Sequence, residues 1–364
     1  NRGNTNEGVM FTDAFLEELA KGRNVSTQAS RPCILFLNGE YWGIYNIRER
    51  YKEEYVANHF GVSEGNVWMI DAGAPRVGDS AAQEAYEHML MEVEECDLSF
   101  DDVYAMIGEI IDIQSLIDYC CINLYINNTD VSFATNTALW RSITAGETKY
   151  ADGRWRWMLF DLDVALGQEE KESLTWMEDY ALLNEPMIKS LMENERFRKQ
   201  FCLTFMDIAN TNYAYDRVHE KLMEWAEIYR VQVVKNHRRF FDEEFSEKEF
   251  DGYIGEMDAF FRDRFSFAAN SLAAKFGLRG ALETITVRNS LTEGGRVMVN
   301  TAEIEEAEWS GQYFTDYPVL LTAEAEEGYR FAGWRGQVSG SQEQMEVYIP
   351  TGGAMVEAVF EKED

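Results

Sequence analysis

The stretch Trp155–Gly167 reads WRWMLFDLDVALG, and it decides how the rest of the chain is to be read. It is nearly all apolar, as a strand covered on both faces would be, yet it ends on two acids, Asp161 and Asp163. A carboxylate in apolar surroundings is costly unless it is paired, hydrogen-bonded or bound to a metal. Residues 154–161 are expected to form the strand, and alternation would turn Asp161 and Asp163 to the same side. Two like charges so placed call for a cation.

A second acid and an amide lie a short way upstream. The run IDIQSLIDYCCINLYINN is apolar on most sides, as a central buried helix would be, and it leads into Asn127, Asn128, Thr129 and Asp130. The loop VSFAT and then Asn136 follow, before a strand over 137–142 that pairs through a hairpin loop with 154–161. Asp, then Asn, then Asp at a strand end is a layout used for phosphoryl transfer. One Asp orients or deprotonates a hydroxyl, while Asn and the second Asp hold divalent metal on the phosphates. Mg²⁺ suits such hard oxygen ligands and keeps several waters. Taken alone, Asp130 and Asn136 fit turn or helix capping better than metal chemistry.

Toward the N-terminus, TDAFLEELAK (12–21) has helical spacing behind a Thr/Asp cap, with Gly22 placed to end it. Then RPCILFLNGEYWGIYNIRERY sets two apolar runs, Cys33–Leu37 and Tyr41 to about Ile47, around Asn38-Gly39. Asn-Gly between such runs predicts a tight hairpin turn. The charged RERYKEEY begins a helix, residues from about Gln83 to Asn127 are helical, and so is the chain from about Glu185 to Leu278. After Gly280, short alternating segments such as ETITVRNS, YPVLLTAEAE and MVEAVFE are separated by turn residues, which predicts an all-β module.

Composition narrows the function. The 364 residues are 46% hydrophobic and 13% aromatic, so a folded chain of two or three domains is expected. With 65 acidic and 33 basic residues the net charge is −32, which opposes nucleic-acid binding and anionic lipid and favours cations. No apolar run is long enough to span a membrane. The five cysteines have no C-x-x-C spacing and read as buried thiols. Four scattered histidines and no G-x-S-x-G argue against a zinc hydrolase or a Ser–His triad. No signal peptide is present in this chain, which is expected to be a mature or trimmed product.

The pair FLNGEYWGIYNIRERY and RWRWMLFDLDVALG resembles the CotH family, the spore-coat-protein-H-like atypical protein kinases. That family's marks are an NGxYxGxYxxxE hairpin and a W-x-x-x-DxDxxxG strand end, and here Glu49 stands at the acidic position of the first. The resemblance implies an α+β chain with an atypical protein-kinase-like fold over residues 1–280. It would have a partial small lobe carrying the NG hairpin and a mostly helical large lobe. A small all-β repeat-like or sandwich module over 281–364 would follow. The implied activity is transfer of the ATP γ-phosphate to Ser/Thr of an extracellular or surface protein, with Mg²⁺ or Mn²⁺. On this resemblance Asp130 is the catalytic acid, and Asn136, Asp161 and Asp163 serve the metal. Ile47, Glu49 and Arg50 lie at the nucleotide hinge, and Arg2 stands where a nucleotide-binding cation would. The chain lacks H-R-D and V-A-I-K motifs, and the strands that cover the phosphates are expected upstream of Asn1.

The segment VLLTAEAEEGYRFAGWRG…VEAVF is similar to a β-rich repeat of bacterial surface and secreted proteins. An extracellular or cell-surface bacterial location follows from it, with cell-wall or polysaccharide contact through this module. Tyr329, Phe331 and Trp334 could stack on a sugar there, or be core. The rival readings are a non-catalytic scaffold on a kinase-like frame and a carbohydrate-adhesion protein.

Overall fold

A computed structural model describes residues 8–167 and 176–363. Helix α1 (Thr12–Leu19) precedes the hairpin of β1 (Ser30–Leu37) and β2 (Glu40–Arg48). Asn38 and Gly39 take φ of 51° and 83°, the left-handed pair that a two-residue turn matched to strand twist requires. Gly43 in β2 has φ 116°, and a Cβ there would fall 2.3 Å from Asn236 Oδ1, so only glycine lets this strand lie so close to its helical neighbour. Tyr41 and Ile44 are buried, while Ile34, Phe36, Tyr45 and Ile47 are exposed.

After α2 (Glu53–Phe60) comes a hairpin that the sequence reading missed, β3 (Val67–Asp71) with β4 (Ala74–Val77). It turns through Ala72 and Gly73, both at positive φ, where the usual Asn or Asp signal is lacking. The helical stretch expected from Gln83 to Asn127 is three helices: α3 (Ser80–Glu95), α4 (Asp101–Ile107) and α5 (Ile113–Tyr125). Helix α5 is buried from Ser115 to its end. Strands β5 (Ala138–Ser142) and β6 (Arg156–Met158) complete an antiparallel sheet in the order β4-β3-β5-β6. The expected strand over 154–161 is thus cut to three residues, and Asp161 and Asp163 lie beyond it. Trp155, Trp157 and Leu159 are apolar because protein covers them, while the ladder stops earlier.

The helices continue with α6 (Trp176–Asp179), α7 (Pro186–Leu191), α8 (Glu195–Asn210), α9 (Tyr215–Phe240) and α10 (Glu247–Phe276). Gly277 closes α10 in the left-handed conformation. The remainder is all β: β7 (Leu282–Asn289), β8 (Gly295–Val299), β9 (Ala302–Ile304), β10 (Glu308–Phe314), β11 (Val319–Ala325), β12 (Tyr329–Gly336), β13 (Gln344–Val347) and β14 (Ala354–Lys362). They form two four-stranded sheets, β10-β7-β14-β12 and β13-β11-β8-β9. Among the described residues no helix is long and apolar enough to cross a membrane.

The β module is fixed to the helices by buried polar contacts. Asp207 of α8 accepts from Asn300 Nδ2 at 2.8 Å, from Thr301 N at 3.1 Å and Oγ1 at 2.6 Å, and from the Tyr313 hydroxyl at 2.8 Å. Arg23 donates to Asp118 of α5 at 2.9 and 2.5 Å and to Thr301 Oγ1 at 2.7 Å.

Candidate functional site

The site grows from the end of α5. Asn127 takes φ 53°, and the Asn128 amide reaches back to the Asn123 carbonyl at 2.9 Å, closing the helix through a left-handed residue. Asparagine tolerates that conformation, and its side chain is used as well. Asn127 Nδ2 donates to Gly167 O at 3.0 Å, and Oδ1 accepts from Trp176 Nε1 at 2.9 Å. The buried Asn128 carboxamide bonds Asn123 Oδ1 at 2.9 Å and accepts the Asp130 amide at 3.3 Å. The helix end therefore fixes where Asp130 starts.

Asp130 itself is exposed. Asn136 Nδ2 donates to the Asp130 carbonyl at 2.9 Å and to Asp130 Oδ2 at 3.1 Å, which brings together two residues singled out from the sequence. The loop between them is closed by the Ser132 and Thr135 backbones, which exchange bonds of 3.0 Å, and Thr137 Oγ1 donates to Ser132 O at 2.7 Å. Asn136 also sits at positive φ, 53°.

The expectation that Asp161 and Asp163 alternate on a strand is not met; they lie in an irregular segment where Asp161 has φ 59° and Leu166 φ 68°. Asp161 is exposed and Asp163 is 9% exposed. The Leu166 amide donates to Ile126 O at 2.8 Å, so this segment is tied to the same helix end that presents Asp130. Burial, then Asp163, Asp13 and Asp130, push the Asp161 carboxyl above its ordinary range; burial, Asp13 and Asp130 do the same for Asp163. Asp13, Asp130 and the Asp161–Asp163 segment, three separate parts of the chain, thus lie close enough for their charges to interact.

Asp13 was read from the sequence only as a cap. In the fold it leads α1, and its Oδ1 accepts the Leu162 amide at 2.9 Å while Oδ2 pairs with Arg48 of β2. Arg48 also pairs with Glu17, one turn further along α1 and 0% exposed. Burial first, and Asp13 second, raise the Glu17 carboxyl well above its usual range even beside Arg48. The Asp13, Glu17 and Arg48 triad joins helix, hairpin and acidic segment. The only trace of it in sequence was the four-residue spacing of Asp13 and Glu17, which puts both on one helix face.

Other predicted positions lie elsewhere on the hairpin. Glu49 accepts the Ala29 amide at 2.8 Å and meets His59 Nε2 at 2.8 Å. Burial would raise its carboxyl, but these bonds outweigh burial and hold it below the ordinary value. Ile47 and Arg50 are exposed next to it. Arg2 lies outside the described residues.

Among the described residues, no three His, Cys, Asp or Glu side chains form a ready-made metal cage. A metal carried by a nucleotide asks less of the protein, one or two carboxylates with phosphate and water completing its shell. The donor types suit that demand: Asp161 and Asp163 could serve as hard anionic ligands whose charge is made costly by their neighbours, and Asn136 as a neutral one.

A family model described as CotH kinase protein matches residues 2–268, and one described as a divergent InlB B-repeat domain matches residues 285–364. No curated protein matches the chain.

Proposed function

The chain belongs to the CotH kinase protein family, and from that premise we propose that it moves the γ-phosphate of ATP to Ser or Thr hydroxyls of an extracellular or surface protein. The observation that carries this reading is the convergence of the Asp130–Asn136 loop and the Asp161–Asp163 segment on one acidic face, both anchored to the end of α5. Asp161, Asp163 and Asn136 would hold Mg²⁺ or Mn²⁺, which when bound neutralises charge on the phosphates.

The chain's own residues divide the rest of the work. Asp130 takes the proton of the acceptor hydroxyl as its oxygen bonds to the γ-phosphorus and the bond from that phosphorus to the β-bridging oxygen breaks, releasing ADP. Asn136, donating to Asp130 Oδ2, leaves the other carboxylate oxygen for that hydroxyl. Asp13 holds the Leu162 amide and so sets the path of the acidic segment. Positioning and electrostatics would supply most of the rate. A surface location is proposed from the B-repeat-like module.

Thermal unfolding tests this. Stabilisation should appear only with ATP together with Mg²⁺ or Mn²⁺, and should vanish in Asp161→Asn, because a ligand bound to the native state alone raises stability by mass action. Stabilisation by metal alone would make the aspartates structural. The absence of any shift would overturn the kinase reading and favour a scaffold.

A further inference from the structure

The aromatic row that the sequence offers for sugar stacking is occupied with packing. Trp334 is 2% exposed, and Phe331 sits 5.2 Å from its ring and 5.7 Å from that of Phe360. A different tryptophan packs against the core and is only partly covered. Trp309 of β10, half-buried, lines a cleft of about 380 Å³ between the helices and the β module. Its ring lies along its own strand over Gly311, where an added Cβ would stand 2.2 Å from the ring. The glycine leaves the indole room over the strand, and the same side chain lines the cleft.

Around it stand Asp216 and Arg217 from the first turn of α9, Glu303 of β9, and Glu305. All four are exposed, and none joins an ion pair among the described residues. Carboxylates outnumber free cations here, since Arg23 is spent on Asp118, which disfavours a phosphate or another anion. A flat aromatic surface with unpaired acceptors and a guanidinium donor suits a ligand with one C–H face and a rim of hydroxyls. Both walls are held by the Asp207 and Arg23 contacts, so the cleft is formed in advance, as small-ligand sites usually are.

We propose that this cleft is a binding site for a neutral glycan chain, with Trp309 as the stacking platform and Arg217, Asp216 and Glu303 holding hydroxyls. It moves the expected polysaccharide contact from the Tyr329–Trp334 row to the junction of the two parts, and it does not depend on the phosphotransfer reading.

The test is calorimetric titration of the full chain with cellohexaose and with chitohexaose. At least one should bind saturably. Trp309→Ala should weaken it about tenfold or more. Gly311→Val, which keeps the indole but takes the space it occupies, should weaken it similarly, and Trp42→Ala on the distant hairpin should not. Arg217→Ala, on an exposed helix surface, should also lose affinity, which gives a reading that does not depend on the module's folding. Binding of neither hexasaccharide overturns the proposal, and so does affinity unchanged in Trp309→Ala or in Arg217→Ala.

Discussion

At the scale of single residues, the acidic face is a stress that a bound cation would relieve. Asp161 and Asp163 have raised carboxyl values in the folded chain. A group so shifted contributes stability below its unfolded value and loses it as pH rises through the folded value, so at neutral pH the cluster opposes folding. Asp161→Asn, without ligand, should therefore leave the melting temperature unchanged or raise it by no more than about 2 °C, since Asp161 is exposed. The same variant should lose phosphotransfer by about a hundredfold or more. A melting temperature that fell sharply would instead make Asp161 a structural anchor. Arg48 behaves in the opposite way. Replacing it with Met strips the counter-charge from Asp13 and from the fully buried Glu17, at a cost of about 3–5 kcal/mol. Because the Glu17 value is already raised, that loss should shrink as pH is lowered from neutral to mildly acidic and Glu17 is more readily protonated. Denaturant midpoints at the two pH values measure it. Arg48→Met combined with Glu17→Gln should regain much of the stability.

At the scale of elements, the end of α5 sets the site. Asn127→Ala would lose both the left-handed tolerance and two side-chain bonds, about 2–3 kcal/mol together. Asn127→Gly keeps the turn and should be the milder change by about 1 kcal/mol. If both cost the same, the turn conformation is not what matters there. Legibility followed local chemistry at this scale. Asn38-Gly39 announced its hairpin because its residues prefer the φ that the turn needs, while Ala72-Gly73 makes a comparable turn with a residue that does not. The run through Trp157 to Asp161 looked like one strand because burial by neighbouring elements imitates strand burial, although pairing ends at Met158. Asp130 and Asn136 were readable as a spacing and are bonded to each other in the fold. Asp13 and Arg48 were hidden, since only the packing of α1 against β2 makes a solvated-looking acid and a strand-end arginine into one unit.

At the scale of the whole molecule, the question is whether the β module is carried loosely or is part of one body. Asp207 lies on α8, fully enclosed, and its carboxylate accepts from Asn300, Thr301 and Tyr313. Asp207→Ala would leave those donors buried without an acceptor, each such loss costing about 1–3 kcal/mol and the three not adding fully. The Arg23 and Asp118 pair would lose the Thr301 side of its setting at the same time. If docking is rigid, calorimetry of the full chain should show a single transition, and Asp207→Ala should divide it into two, the module and the helices melting separately. Mild acid should not mimic the mutation. Burial raises the Asp207 value against the pull of Arg23 and its hydrogen bonds, so its contribution persists as pH falls toward the unfolded value and weakens only as pH rises through the folded one. Two transitions already present in the unaltered chain would mean that the module is tethered, and the cleft beside Trp309 would then open and close rather than stand formed.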